Sequence, residues 1–139
     1  MYWIFAYGEY TDFSRGTKEA LFKRLKKNRK WYIGHHTQNR NRIGRDDKII
    51  FYQTGTGALK FVGNAVLESG LQPPENKQEY YPFVIISEPK LWKKELQVSE
   101  VDSLLSFQKN ETPLQYYFQM AIRKISESDY KLLMKKAEC

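Results

Sequence analysis

Apolar residues fall along this chain in short runs and stripes of two different periods. Tyr2-Trp3-Ile4-Phe5-Ala6-Tyr7 is an aromatic and β-branched run stopped by Gly8, which predicts a first strand. From a cap at Thr17 to about Lys27 the period changes to that of a helix. Leu21, Phe22 and Leu25 form its inner face, and Lys18, Lys23, Arg24, Lys26 and Lys27 cover the rest. Trp31-Tyr32-Ile33 reads as a short strand broken by Gly34, and residues 35–42 contain nothing apolar, so they read as an exposed loop. Asp46-Asp47 turns the chain into a buried strand, Lys48 to Gln53, and Thr54-Gly55-Thr56-Gly57 reads as a hairpin turn.

The next stretch alternates, with Leu59, Phe61, Gly63, Ala65 and Leu67 expected on one face and Lys60, Asn64 and Glu68 on the other. Gly70 to Gln78, with Pro73-Pro74, reads as a loop; Tyr80 to Ile86 and Lys90 to Val98 read as two further strands, with Pro82 suited to an edge or bulge. Thr112-Pro113 predicts the start of a helix whose inner face is Leu114, Tyr117, Phe118 and Ala121. Ser126 and Asp129 have the spacing of a capping box, flanked by Ile125 and Tyr130 as a hydrophobic staple, before a last helix with Leu133, Met134 and Ala137 in its stripe. Five or six strands with helices at both ends predict an α+β fold: a curved, mostly antiparallel barrel with flanking helices, in a single domain over residues 1–139.

Charge adds a direction to this picture. Residues 1–45 carry eleven Lys or Arg against three acids, a balance of +8, whereas the remainder of the chain carries −1. Clustered cations raise a local potential and release counterions from a polyanion, so segregation on this scale points to nucleic acid. The aromatic content, ten Tyr, eight Phe and three Trp, exceeds what a core of this size needs. The single cysteine, Cys139, excludes an internal disulfide and a cysteine-rich zinc site, and suits a reducing compartment; a cytoplasmic protein is expected. The apolar start is too short to span a bilayer.

Several segments, in order, resemble the EVE domain and its YTH relative in the PUA-like superfamily. Trp3-Ile4-Phe5 is similar to the opening strand, and Trp31-Tyr32-Ile33-Gly34 to the tryptophan-containing second strand. Arg42 to Tyr52 is similar to the turn-and-strand that follows, and Phe61 to Ser69 to the "apolar-Gly-x-Ala" strand. Ile125 to Leu133 is similar to the terminal helix. Asp46 stands where the family more often has glycine. The resemblance implies a reader of modified bases, in RNA for YTH domains and in DNA for EVE domains of modification-dependent restriction systems. It also implies no cofactor and a link to a nuclease or motor domain.

A flipped base needs flat walls to stack on and polar groups at its edge. In the YTH relative a tryptophan on the second strand is a cage wall, and Trp31 is the nearest match, with Tyr32 next in register. Tyr7, Tyr80 and Tyr81 are candidate further walls, while Trp3 and Trp92 read as core. On this reading Trp31→Ala abolishes preference for the modified base and leaves the fold intact. The loop residues His35, His36, Gln38, Asn39, Arg40, Asn41 and Arg42 offer donors and acceptors for base edges and phosphates. Lys23, Arg24, Lys26, Lys27, Arg29 and Lys30 are the candidate phosphate contacts.

Three other functions compete. An RNA-binding module for modified or structured RNA would use the same patch and aromatics. A peptide-binding module would use the aromatics alone. A metal-dependent nuclease would need Glu88-Pro89-Lys90 together with Asp46 or Asp47, but Pro89 interrupts the strand such a site relies on. Adjacent histidines point opposite ways on an extended chain, so His35-His36 is not a zinc pair. No catalytic set stands out, and the expectation is a binding protein.

Overall fold

A computed structural model describes residues 1–7, 18–34, 37, 39–53, 60–75, 81–101 and 122–138. The strands are β1 (Tyr2–Tyr7), β2 (Lys30–Tyr32), β3 (Lys48–Gln53), β4 (Lys60–Val66), β5 (Phe83–Ile85), β6 (Lys90–Gln97) and β7 (Ile122–Ile125). The helices are α1 (Lys18–Asn28), a single turn α2 (Val98–Val101) and α3 (Glu127–Glu138). The hairpin turn at Thr54–Gly57, the cap at Thr17 and the helix expected from Thr112 lie outside the described residues.

Five strands form a mixed sheet in the order β6-β4-β3-β1-β7, and β2 pairs with β5 in a second, two-stranded sheet. β1 and β3 run parallel, and the other ladders are antiparallel. Isolated bridges, Leu67 to Ile86 and Gln72 to Phe83, connect the β5 segment to the end of β4 and the turn after it. The described strands thus make an α+β fold of two linked sheets, not one closed ladder.

Both faces of the large sheet are covered, which is why its central strands read as continuous apolar runs. On one face Trp3, Phe5 and Tyr7 of β1 pack with Ile49 and Phe51 of β3, Phe22 and Leu25 of α1, and Trp31. On the other, Ile4, Ile50, Tyr52 and Phe61 pack with Trp92, Leu96, Tyr130 and Leu133, which brings in α3. The expected roles of Trp3 and Trp92 as core residues hold; they are 0% and 6% exposed.

The expected simple alternation along β4 is broken. Against β3 the register shifts between Phe51 and Tyr52 and leaves Val62 as an extra residue; against β6 it shifts between Phe61 and Gly63, with the extra residues on β6. Phe61 therefore faces the α3 side, whereas Val62, Ala65 and Leu67 face the α1 side. β7 was not anticipated. Ile122-Arg123-Lys124-Ile125 pairs antiparallel with β1, from Phe5↔Ile122 to Tyr2↔Ile125. Ser126 caps the helix behind it: the Asp129 amide donates to Ser126 Oγ at 3.1 Å, and Ile125 and Tyr130 share a core cluster.

Gly63 seats α1 on the sheet. A β-carbon there would run into the Lys90 carbonyl oxygen and lie 2.7 Å from Phe22 Cζ. Because one obstacle is backbone, the sheet cannot yield cheaply. Gly63→Ala is expected to destabilise the domain by about 1–3 kcal/mol, read from chemical denaturation. It should also loosen α1, seen as faster amide exchange at Phe22 to Leu25.

Candidate nucleic-acid interface

Helix α1 ends where its chemistry becomes interesting. Arg29 adopts a left-handed conformation (φ 59°), and its amide donates to the Leu25 carbonyl at 2.9 Å, an αL cap of the kind glycine favours. That cap turns the chain into β2, where Trp31 pairs with Val84 of β5. Above it, Lys23, Arg24, Lys26 and Lys27 lie exposed on the outer face of α1, while Phe22 and Leu25 point inward.

Trp31 lies beneath this helix against three rings. Its centroid is 5.1 Å from Phe51, 5.7 Å from Phe5 and 6.4 Å from Tyr7, the last edge-on. Only 8% of its surface is exposed. Tyr7 is 3% exposed and its hydroxyl donates to Gln53 Oε1 at 3.3 Å. Tyr7 and Gln53 are register partners at the C-terminal ends of the parallel strands β1 and β3. Two of the sequence candidates, Trp31 and Tyr7, are thus in contact.

Tyr32 alternates to the opposite face of β2, where it is half-buried and edge-on to Phe83 at 6.1 Å. Tyr81 is half-buried just beyond the β2–β5 ladder, which the Ile33 amide extends by donating to the Pro82 carbonyl. Tyr80, His35, His36 and Gln38 lie outside the described residues.

Residues 39–42 form a turn, closed by the Arg42 amide donating to the Asn39 carbonyl at 2.9 Å. Asn39 has a left-handed backbone (φ 67°). Its Nδ2 donates to the Ile122 carbonyl at 3.0 Å, and its Oδ1 accepts from Arg42 Nη1 at 3.2 Å. Ile43, next after the turn, is buried in the same core cluster as Trp31 and Phe5, which sets the turn beside the aromatic cluster. Asn41 and Arg42 are exposed there, and Arg40 is half-buried.

Lys30 and Arg29, both candidate phosphate contacts, have intramolecular work. Lys30 pairs with Glu75 at 3.1 Å and lies over the Phe83 ring at 4.5 Å. Arg29 Nε donates to the Lys26 carbonyl at 3.3 Å. In their place the structure supplies cations from far along the sequence. Lys26, Glu88, Pro89, Lys90 and Leu91 line one depression of about 390 Å³. Lys90 and Leu91 also line a groove of about 410 Å³ with Trp92, Lys93, Lys94 and Met134. Lys90 therefore lies beside Lys26 of α1, and Lys93 and Lys94 carry the positive charge from there along β6 toward α3. The sequence drew attention to Lys90 only as part of the nuclease motif and to Lys93 and Lys94 not at all, because they belong to the part of the chain whose net charge is nearly balanced.

Of the carboxylates asked of a nuclease, Asp47 is otherwise engaged. Asp47 is buried; its Oδ2 accepts from Trp3 Nε1 and from the Gly44 amide, both at 2.9 Å, and its Oδ1 lies 3.0 Å from the Met1 amino group. Asp46 is exposed with φ 72°, the left-handed geometry that accounts for the glycine more usual at this position in the EVE domain. Among the described residues no group of three His, Cys, Asp or Glu is placed to hold a metal ion, and no helix is long and apolar enough to cross a membrane.

No family model matches the sequence, and neither does any curated protein. Solved structures do. A protein from Agrobacterium tumefaciens superposes with a TM-score of 0.72 at 16% identity, over 98% of this chain and 92% of that one. A Leishmania major protein gives 0.69 at 18% identity, over 99% and 94%. Human THYN1, in complex with DNA containing 5-methylcytosine, gives 0.71 at 12% identity, over 99% and 98%. The DUF55 domain of the same human protein gives 0.69 at 11% identity, over 99% of both chains. Over its full length, this chain shares the fold of the EVE/DUF55 domains.

Proposed function

We propose that this protein binds DNA on the outer face of α1 and receives an extruded, modified base at the ends of β1 and β3, beside Trp31. The observation that carries the reading is the layering of the site. Exposed cations on one side of α1 lie over an inner face whose Phe22 contacts Phe51, and Phe51 in turn contacts Trp31. Phosphates held by the helix would thus stand above an aromatic cluster suited to a flat ring. The fold shared with human THYN1, whose structure contains 5-methylcytosine DNA, supports the same partner.

In this proposal Trp31 and Tyr7 form the floor of the pocket, since both are nearly covered. Asn41, Arg40 and Arg42 approach the groove from the adjoining turn, and Asn39 holds that turn in place. The protein acts by binding alone, and any chemistry belongs to a partner domain. Phosphate contacts set affinity without setting sequence preference, and each adds about one to the slope of log affinity against log salt.

The test is fluorescence anisotropy on duplexes carrying 5-methylcytosine or cytosine, across a salt series. Replacing Lys23, Lys26 and Lys27 together by Ala should weaken binding to every duplex alike and lower the salt slope by about two to three. A parallel triple variant of Lys90, Lys93 and Lys94 should act the same way if the track extends over β6. Unchanged slopes in the α1 variant would move the interface off this helix.

A further inference from the structure

We infer that Gln53 reads the edge of the extruded base and selects a cytosine ring over a thymine ring; this rests on the base-reading function proposed above. Alternation along β3 places Gln53 on the same side as Ile49 and Phe51, which is the Trp31 side of the sheet. It is the last residue of β3, half-buried, in register with Tyr7. A polar side chain thus ends an otherwise apolar row, at the point where that row reaches the aromatic floor.

The Tyr7 hydroxyl orients it. The phenol donates to Gln53 Oε1 and so holds the carbonyl end of the carboxamide toward Tyr7. The amide then presents a second carbonyl lone pair and an NH2 group as one flat, paired edge. Cytosine carries the complement, an exocyclic amine at C4 that donates beside a ring N3 that accepts. Thymine carries the reverse, a C4 carbonyl beside an N3–H. Docking thymine on the oriented carboxamide sets carbonyl against carbonyl and N–H against N–H. A buried mismatch of that kind discriminates more strongly than a missing methyl group, because it strands polar groups out of water.

The two rings allow a clean experiment, since 5-methylcytosine and thymine carry the same 5-methyl group. Each is placed opposite an abasic site in the same duplex, so that neither is paired and extrusion costs are matched. The full chain is expected to prefer 5-methylcytosine by roughly five- to a hundredfold, the range of a paired hydrogen-bond contact to a base. Gln53→Ala should bring that ratio close to one while leaving the salt slope unchanged. Gln53→Glu keeps an acceptor for Tyr7 but loses the donor to N3, so it should lose most of the ratio and serves as the variant closest in shape.

A Gln53→Ala protein that retains the 5-methylcytosine-over-thymine ratio overturns the assignment of Gln53, while the base-reading function stands. So does a full chain that prefers 5-methylcytosine to cytosine yet treats thymine equally. A full chain that binds DNA without distinguishing 5-methylcytosine from cytosine overturns the function itself, and the assignment with it. Thermal melting of both variants separates these outcomes from a loss of fold.

Discussion

Trp31→Ala should destabilise the domain by about 3–5 kcal/mol, the range for emptying the site of a buried large aromatic. Its ring is in contact with Phe5, Tyr7 and Phe51, so the cavity would open at the junction of β1, β2 and β3. Urea denaturation should show the loss as a lower midpoint, and the melting temperature should fall by about 10 °C or more. The sequence alone had suggested a wall that could be removed with the fold intact, and 8% exposure argues otherwise. Trp31→Phe is the informative variant for binding, because it keeps much of the volume while removing the indole. It should fold, keep its salt-dependent affinity and lose most of the preference for 5-methylcytosine over cytosine. An alanine variant as stable as the parent would mean that the ring is not part of the core.

Asp47→Ala is expected to cost about 3 kcal/mol, in the range for stripping a buried, multiply bonded carboxylate of its role. The loss leaves Trp3 Nε1 and the Gly44 amide without the acceptor that both now share. Trp3 is fully buried, so water cannot replace that acceptor without entering the core. Asp47→Asn retains one carbonyl oxygen and should recover part of the stability. Denaturant midpoints of the two variants give the comparison. Equal and negligible losses would show that the bonds to Asp47 contribute nothing net.

Elements with a strong local period were legible in the sequence. β1, α1, β3, the Ser126 cap of α3 and the core roles of Trp3 and Trp92 follow from residues within a turn or a strand of one another. β7 was not legible, because Ile122-Arg123-Lys124-Ile125 is a four-residue strand with two charges, and it becomes a strand by pairing with β1 more than a hundred residues earlier. The facing of Phe61 was missed for a related reason. A bulge is a property of two paired strands, and neither strand encodes it alone.

The candidate site divides in the same way. Adjacency in sequence drew attention to Trp31 and to the turn after it, but not to what each touches. Asn39 has the composition of a base reader, and its amide instead ties the turn to β7. Gln53 and Tyr7 are 46 residues apart and meet only because β1 and β3 run parallel. Lys90, Lys93 and Lys94 join the cations of α1 only after β6 is laid at the edge of the sheet beside β4.

The position of β1 between β3 and β7 also bears on how the chain folds. Trp3, Ile4 and Phe5 are wholly buried. Their parallel neighbour, Lys48–Gln53, lies some forty-five residues later in the sequence, and their antiparallel neighbour, Ile122–Ile125, more than a hundred. Until both arrive, this apolar strand has at least one edge unpaired. Closing such distant pairs carries a loop-entropy cost before any contact rewards it, which makes this a slow-folding topology for its size. The unfolded chain is then exposed to aggregation through β1, the strand on which both faces of the finished sheet are built.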